Sequence, residues 1–252
     1  PKDWTGRRVL LNFGAVDWEA VIWVNGQKVG QHTGGYDPFS FDITGALKKN
    51  AKEQEIVVSV WDPTDEGTQP RGKQVNKPRG IWYTPVTGIW QTVWLEVVPL
   101  NYIKSLHMVP DIDHNELAIN VTSGGTDKGA VKISVPELKL EQRGKTGEVL
   151  KLKLGGYELW SPDNPKLYDL SIELTGVNGK TDKIKSYFGM RKIALGKDLN
   201  GITRIFLNNK PLFMYGPLDQ GWWPDGLYAA PSDEALQYDL EITKKLGFNL
   251  VR

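Results

Sequence analysis

The sequence predicts a mainly β chain, in which two successive β-sandwiches precede the first βα unit of a truncated TIM barrel. Short runs rich in Val, Ile, Trp and Phe recur along the 252 residues, separated by Gly, Pro, Asn and Asp. Over the first hundred residues these runs show no helical periodicity between them. A helical pattern with apolar runs on both sides appears near the end. We therefore predict domains at 1–99, 100–193 and 194–252.

The first domain is predicted to be a two-sheet sandwich of jelly-roll type. Asn25-Gly26 favours a type I′ turn, so the flanking runs should form a hairpin. Phe39, Phe41 and Ile43 alternate with polar residues, which places them on one buried face. The predicted strands cover 8–13, 19–24, 28–31, 39–43, 55–61 and 89–98.

The segment 62–88 interrupts this pattern of short strands. It is dense in Pro, Gly and charge and too long for a simple turn, and long loops in compact domains are often functional. Trp90 and Trp94 follow it on an alternating run, and we expect them to fill the sandwich core. Arg79 and Trp82 lie on the loop itself, where a structural and a functional role are equally open.

The second domain, which begins after Pro99, is predicted to be an immunoglobulin-like sandwich without the antibody-type disulfide, since the chain has no cysteine. The segment 159–168, L-W-S-P-D-N-P-K-L-Y, is interpreted as a corner made rigid by proline. The predicted strands cover 102–109, 116–121, 130–135, 149–154, 167–174 and 183–192.

The third part begins with another hairpin turn, at Asn208-Asn209. Ser232 then caps a helix, which Gly247 ends. One side of this helix is apolar, and residues 248–252 are predicted to form a buried strand. One βα unit cannot close a barrel or cover a parallel sheet, so we expect the chain to be the amino-terminal part of a longer polypeptide.

Composition excludes several functions. With 31 Lys and Arg against 30 Asp and Glu, the net charge is +1, so no nucleic-acid partner is expected. No apolar run approaches about 18 residues, so no membrane partner is expected. Three scattered histidines and no cysteine predict neither a metal site nor a thiol nucleophile, and no cofactor is expected.

Four motifs carry a resemblance to a known family: W-V-N-G-Q-K-V-G-Q-H-T-G-G-Y-D-P-F-S-F-D-I-T at 23–44, G-I-W-Q-T-V-W-L-E at 88–96, the 159–168 corner, and F-G-M-R-K followed by F-L-N-N-K-P-L-F at 188–213. The chain resembles the amino-terminal region of glycoside hydrolase family 2, the β-galactosidase, β-glucuronidase and β-mannosidase group. The resemblance implies a retaining exo-β-glycosidase whose catalytic glutamates lie on later barrel strands. We therefore nominate no catalytic residue here and expect the fragment alone to be inactive.

The resemblance also implies positions that contact substrate. In several relatives the loop before G-I-W-Q reaches the catalytic pocket, which makes Arg79, Trp82 and Tyr83 candidates by position. Arg252 matches the Arg of the family's F-N-x-x-R motif, which helps to order the catalytic site.

Barrel sites form at the carboxyl ends of strands, so the loop after the first candidate strand supplies further candidates. Trp222 and Trp223 would stack on sugar rings, and Asp219 and Asp225 would bind hydroxyls; the alternative is that the tryptophans pack the barrel mouth and that Arg252 pairs with a structural acid. The family's usual His-bearing motif is absent at 216–220, which leaves the particular sugar open.

Three functional hypotheses remain open from the sequence. In the first, the full protein is a β-glycosidase that acts on a carbohydrate substrate, with a homo-oligomer possible. In the second, this chain is a non-catalytic carbohydrate-binding module that uses its ten tryptophans. In the third, both sandwiches are scaffold. A polysaccharide-degrading role would fit a periplasmic or extracellular location.

Overall fold

The computed structural model describes residues 4–125, 129–176 and 179–252. The chain forms two compact units. Unit 1 contains the residues up to Val98 together with Leu218–Leu246 and Arg252, and unit 2 contains Pro99–Pro217 and Gly247–Val251. Strands account for most of the regular structure, which confirms the mainly β prediction.

Unit 1 contains a β-sandwich with antiparallel pairing. Its sheets have the strand orders β5-β1-β8, β4-β3-β6 and β2-β7. Leu11, Phe13, Ile22 and Ile43 are almost completely buried between them. The strands are β1 (Arg8–Phe13), β2 (Val16–Asp17), β3 (Glu19–Val24), β4 (Gln27–Thr33), β5 (Phe39–Asp42), β6 (Ile56–Trp61), β7 (Gly88–Ile89) and β8 (Val93–Val98), with a 3-10 helix at Thr44–Ala46.

The Asn25-Gly26 hairpin is confirmed. Both residues have positive φ, 52° and 83°, as a type I′ turn requires, and Val24 pairs with Gln27 across it. The Asn25 amide also donates to the Ala46 carbonyl (2.8 Å) and to Gln54 Oε1 (2.6 Å), and its Oδ1 accepts from the Glu55 N–H (3.0 Å). The turn is therefore held by side-chain as well as backbone contacts.

The strand predicted over 89–98 is interrupted in the structure. It divides into β7 and β8, with Trp90, Gln91 and Thr92 between them. Trp94 is 45% exposed, so its predicted core position is wrong. The reason is that residues 93–96 are all exposed, so the described residues cover neither face of β8 in this part of the strand. Trp90 is half-buried and lies outside the sandwich core.

Unit 2 contains a second sandwich, with sheet orders β13-β10-β9 and β12-β11-β14-β15. This crossed-over order of seven strands agrees with the immunoglobulin-like prediction. Ile119, Ile133, Ile172 and Met190 are fully buried in its core. The strands are β9 (Tyr102–Asp111), β10 (Glu116–Gly124), β11 (Ala130–Val135), β12 (Leu140–Lys145), β13 (Val149–Lys153), β14 (Tyr168–Thr175) and β15 (Thr181–Phe188).

The 159–168 corner is a structural element, as predicted. Trp160 donates its backbone N–H to the Met190 carbonyl (2.9 Å), and the Arg191 guanidinium lies 4.6 Å from the centre of its ring. The Tyr168 hydroxyl accepts the Glu158 N–H (2.7 Å). These contacts fasten the corner to the end of the sandwich.

Three short strands follow in unit 2: β16 (Ile193–Lys197), β17 (Thr203–Leu207) and β18 (Lys210–Pro211). The hairpin turn predicted at Asn208-Asn209 is confirmed, because both residues have positive φ, 51° and 64°, and Leu207 pairs with Lys210. The Asn208 amide donates to the Trp160 carbonyl (2.9 Å), which joins this hairpin to the corner.

The buried strand predicted over 248–252 is wrong. Residues 247–251 lie beside 213–217 and run in the same chain direction. The Asn249 N–H donates to the Tyr215 carbonyl (3.0 Å), and the Leu250 carbonyl oxygen is so close to Gly216 that a Cβ added there would lie 1.6 Å from it. Neither segment is a sheet strand, and Asn249, Leu250 and Arg252 are exposed. A parallel strand needs a continuous ladder and a cover on its faces, which the described residues do not supply here.

The predicted helix is present as α1 (Asp233–Lys245) in unit 1. Ser232 Oγ accepts the Ala235 N–H (3.2 Å), which is the predicted N-cap bond, and Gly247 follows with φ of 88°. None of its residues is buried, and its apolar side, including Leu236, Leu240 and Leu246, faces solvent. Within the described ranges, no helix has the length and apolarity that a bilayer-crossing segment requires.

Candidate functional site

The long loop 62–88 and the segment 218–230 meet in unit 1 through aromatic side chains. Tyr83 stacks on Trp222 with ring centres 4.8 Å apart, and Trp222 meets Tyr228 edge-on at 4.9 Å. Tyr228 also contacts Trp90 (4.7 Å) and Tyr36 (5.8 Å). We call these five residues the aromatic cluster. It joins the sandwich, its long loop and the segment before α1.

A set of hydrogen bonds, which we call the polar network, lies beneath the aromatic cluster. Gln74 donates from Nε2 to Asp17 Oδ2 (3.0 Å) and to the Tyr228 hydroxyl (2.6 Å), and its Oε1 accepts the Val86 N–H. The Tyr228 and Tyr36 hydroxyls are 2.6 Å apart. Asp17 and Gln74 are almost completely buried. A buried carboxylate and amide with these partners hold their neighbours in one arrangement.

Burial controls ionisation in this network. Desolvation raises the pKa of the Asp17 carboxyl, against the opposing effect of its hydrogen bond from Gln74. Burial, followed by the hydrogen bond with Tyr36, raises the pKa of the Tyr228 phenol far above its ordinary value. The Tyr228 hydroxyl therefore keeps its proton at neutral pH and remains both a donor and an acceptor.

Gly35 explains why the G-G-Y motif has glycine before the aromatic residue. A Cβ at Gly35 would lie 2.5 Å from Asp17 Oδ1, so no side chain fits there while that carboxyl keeps its place. The Gly35 carbonyl accepts the Trp90 indole N–H (2.7 Å). The motif thus positions both the polar network and one ring of the aromatic cluster.

Two surface grooves border the aromatic cluster. The smaller groove, of about 350 Å³, is lined by Tyr83, Leu218, Asp219, Gln220, Trp222, Asp239, Ile242 and Thr243. The larger groove, of about 730 Å³, has Tyr36, Trp90, Trp94, Trp223 and Tyr228 among its lining residues. Aromatic rings beside carboxylates and amides are the surfaces on which sugars stack and form hydrogen bonds.

The structure brings some of the predicted site residues together. Asp219 and Trp222 line the same groove, and the Asp219 N–H donates to the Arg252 carbonyl (2.8 Å). Trp223 lines the other groove and forms two backbone hydrogen bonds with Leu227.

Other predicted residues lie apart from these grooves. Arg79, Trp82 and Asp225 are exposed and are not among the lining residues of either groove. The Arg79 carbonyl accepts the Trp82 N–H (3.0 Å), so these two residues form a turn. An acidic residue of the long loop also stabilises a turn: Asp62 Oδ1 accepts the Thr64 N–H (2.7 Å). No group of metal-binding side chains occurs in the ranges that the structure describes.

Several residues of the site are missing from the sequence-based prediction. Tyr36, Gln74, Gln220 and Tyr228 are central here, yet they are separated by up to 192 residues along the chain. The one local signal is the aromatic residue that follows a Gly-Gly or Gly-Leu step, as at Tyr36 and Tyr228. Such a signal marks a turn and carries no information on which rings meet.

Comparison with known proteins matches two family models to this chain. Residues 1–99 match the model "Glycosyl hydrolases family 2, sugar binding domain", and residues 101–191 match "Glycosyl hydrolases family 2". The two β-sandwiches therefore correspond to two successive domains of one protein family. The chain belongs to glycosyl hydrolase family 2, of which it represents the amino-terminal region.

Individual relatives agree with this assignment. The chain is 29% identical to a β-galactosidase of Thermoanaerobacter pseudethanolicus, over 98% of this chain and 34% of the relative. It is 28% identical to a putative β-glucuronidase of Formosa agariphila, over 96% and 29%. A crystal structure of a β-glycosidase from Bacteroides vulgatus superposes with a TM-score of 0.80 at 25% identity, over 100% of this chain and 32% of that one. The chain spans about a third of the length of these relatives.

Proposed function

We propose that this chain is the amino-terminal portion of a retaining exo-β-glycosidase that resembles β-galactosidases. The observation that carries the proposal is the match of both sandwiches to family 2 models, in the order of the family's domains. Retaining hydrolysis uses two carboxyl groups about 5–5.5 Å apart: one protonates the leaving oxygen, and the other forms a covalent glycosyl intermediate that water then hydrolyses. We place both carboxyl groups outside this chain, which alone is then inactive.

The role that we propose for this chain is to contribute to the substrate pocket. Trp222 is held by Tyr83 on one face, and Asp219, whose Oδ1 accepts the Gly221 N–H (2.7 Å), lines the same groove. We propose that this pair contacts the sugar and that Arg252, joined to Asp219 through its backbone, helps to order the pocket. Trp223, Asp225, Arg79 and Trp82 are proposed as outer contacts for the rest of the substrate.

The decisive experiment is an assay of the full-length gene product on a panel of chromogenic β-glycosides. We expect release of the chromophore from at least one β-glycoside, and absence of release from every member would contradict the enzyme proposal. In the active enzyme, Asp219→Asn should lower kcat/KM by about 10-fold to 100-fold, because a charged hydrogen bond contributes roughly 1.5–3 kcal/mol. Asp225→Asn should have a smaller effect, because Asp225 lies outside the groove.

A second candidate function is a non-catalytic carbohydrate-binding module. The specific observation in its favour is the larger groove, where Trp94 and Tyr36 remain substantially exposed beside Trp223. Exposed rings of this kind can stack on pyranose faces without any catalytic group. Calorimetric titration of the 252-residue chain with simple β-linked sugars tests this candidate. Measurable binding that Trp94→Ala abolishes would favour the module, and no binding would leave the enzyme and scaffold hypotheses.

A further inference from the structure

We propose that Gln74 and Tyr228 act as positioning residues, which fix the segment 219–230 and thereby hold Asp219 and Trp222 in place; the substrate-related part of this inference rests on the proposed function. Tyr228 belongs to the same segment as the proposed sugar contacts, whereas Gln74 belongs to the long loop of the sandwich. Their hydrogen bond (2.6 Å) joins positions 154 residues apart. In this proposal the buried polar network positions the segment 219–230, in addition to filling the space beneath the aromatic cluster.

The sandwich end of this connection is held by strand pairing, burial and hydrogen bonds. Asp17 lies in β2, which pairs with β7, and its carboxylate is buried against Gly35. Gln74 is held by Asp17 through Nε2 and by Val86 through Oε1, so both ends of its amide have partners. A main-chain donor such as the Val86 N–H requires the oxygen of the amide on that side. The orientation of the Gln74 amide is therefore fixed, with its nitrogen toward Asp17 and Tyr228.

The direction of the hydrogen bonds follows from that orientation. Since Gln74 Nε2 is a donor, the Tyr228 hydroxyl must accept from it, and the Tyr228 proton is then free to be donated to the Tyr36 hydroxyl (2.6 Å). The phenol thus accepts one bond from Gln74 and shares a second with Tyr36, in which either hydroxyl can be the donor. Such a chain of bonds allows a narrow range of positions for Tyr228 and for the backbone that carries it.

Two more contacts hold the same segment at earlier positions. Tyr83 donates its hydroxyl proton to Gln220 Oε1 and stacks on Trp222. Tyr83 is itself tied to the strand-like stretch around Gln74, because its N–H donates to the Lys73 carbonyl (2.9 Å) and its carbonyl accepts the Val75 N–H (3.2 Å). The long loop therefore contacts the segment 219–230 at Trp222 itself, before it at Gln220 and after it at Tyr228.

The test uses Tyr228→Phe, which removes the hydroxyl and keeps the ring that packs on Trp90 and Trp222. Tyr157→Phe is the matched control, because it removes a phenol hydrogen bond of similar length, to Asn115 Oδ1 (2.7 Å), in unit 2. Amide hydrogen exchange of the 252-residue chain should become roughly 5-fold to 30-fold faster at 219–227 in Tyr228→Phe, because this variant loses two hydrogen bonds, to Gln74 and to Tyr36. Exchange at those positions should be unchanged in Tyr157→Phe.

Tyr36→Phe is a second variant, which keeps the test valid if Tyr228→Phe fails to fold. Tyr36 is partly exposed and the substitution retains its ring, so we expect this variant to fold. It removes one of the two hydrogen bonds of Tyr228, so we expect a smaller, roughly 2-fold to 5-fold, increase in exchange at 219–227. If exchange at 219–227 is the same as wild type in both variants, the positioning role is refuted.

Steady-state kinetics of the parent enzyme separate this inference from the proposed function. Tyr228→Phe should raise KM by about 5-fold to 10-fold and leave kcat within about 2-fold, because the reacting carboxyl groups lie elsewhere. An active parent in which Tyr228→Phe leaves KM unchanged contradicts the inference alone. A parent that hydrolyses no glycoside contradicts the proposed function, and the exchange measurement then decides whether the network fixes the segment.

Discussion

Gly30 provides the sharpest test of how the first sandwich is packed. It lies in β4, and a Cβ added there would sit 2.1 Å from Cε1 and 2.5 Å from Cδ1 of Phe41. Phe41 packs on the sandwich core and meets Phe39 edge-on, so its ring cannot move without losing those contacts. Gly30→Ala should therefore lower the free energy of unfolding of unit 1 by about 1–3 kcal/mol, the usual cost of overpacking.

A matched control is available in the same unit. At Gly45, an added Cβ meets no atom within 4 Å, so Gly45→Ala should change stability by no more than about 1 kcal/mol and in the favourable direction. For a unit of this size, the predicted cost at Gly30 corresponds to a fall in melting temperature of about 4–12 °C. Differential scanning calorimetry of the 252-residue chain measures both variants.

A double mutant identifies the cause of the loss. In a Phe41→Leu background, Gly30→Ala should cost about 1 kcal/mol less than in wild type, because the clashing ring atoms are gone. If Gly30→Ala melts within about 2 °C of Gly45→Ala, or if the cost at Gly30 is the same in both backgrounds, the argument from ring contact is refuted.

We make three further predictions, which concern a hydrogen bond of the buried Tyr168, the pKa of Asp198 and the exposed side chain of Leu240. Tyr168→Phe leaves the Glu158 N–H without its acceptor and should lower unfolding free energy by about 1–3 kcal/mol in urea titrations. The pKa of the Asp198 carboxyl lies below its usual 3.8, chiefly because of the backbone hydrogen bond from Ile202. The ionised carboxylate therefore stabilises the fold above pH 3.8, and this stabilisation is lost as the pH falls through the lowered pKa. NMR titration of the Asp198 carboxyl measures that pKa. Leu240→Gln should change the stability of the 252-residue chain by less than about 0.5 kcal/mol, because Leu240 is exposed, yet should destabilise the parent enzyme by more than 1 kcal/mol if further chain covers α1.

Each of these predictions has an opposing outcome. Tyr187 is exposed, so Tyr187→Phe is the control for Tyr168→Phe, and equal effects of the two would contradict the buried hydrogen bond. An Asp198 carboxyl that titrates at or above 3.8 would contradict its predicted hydrogen bonding. If Leu240→Gln leaves the stability of the parent enzyme as little changed as that of the 252-residue chain, α1 is not buried in the parent.

Elements determined by neighbouring residues could be predicted from the sequence. The turns at Asn25-Gly26 and Asn208-Asn209 depend on two residues that tolerate positive φ, and the Ser232 cap depends on a contact three residues away. Strand β12 was not predicted, because Leu140–Lys145 is mostly polar and lies at a sheet edge, where pairing with β11 determines its conformation. Local pattern predicts an element well only where local contacts determine it.

The site could be predicted only in part for the same reason. Asp219 and Trp222 are close in sequence and share a groove, whereas their support comes from Tyr83, Gln74 and Tyr228, which only the fold brings together. The prediction for Trp94 failed because alternation along a strand shows which residues share a face but not whether another layer covers that face.

The side-chain contacts of Asn25 in the first hairpin turn affect how fast the protein deamidates. Asn-Gly sequences deamidate when the backbone nitrogen of the glycine attacks the side-chain amide carbon of the asparagine, which expels ammonia and forms a succinimide. This attack requires the side chain to swing toward the backbone. Here the amide of Asn25 is anchored to Ala46 and Gln54, and its oxygen is anchored to Glu55. Conversion at Asn25 should therefore proceed mainly through unfolded molecules, so the deamidated fraction in a stored sample would record how often this hairpin had opened.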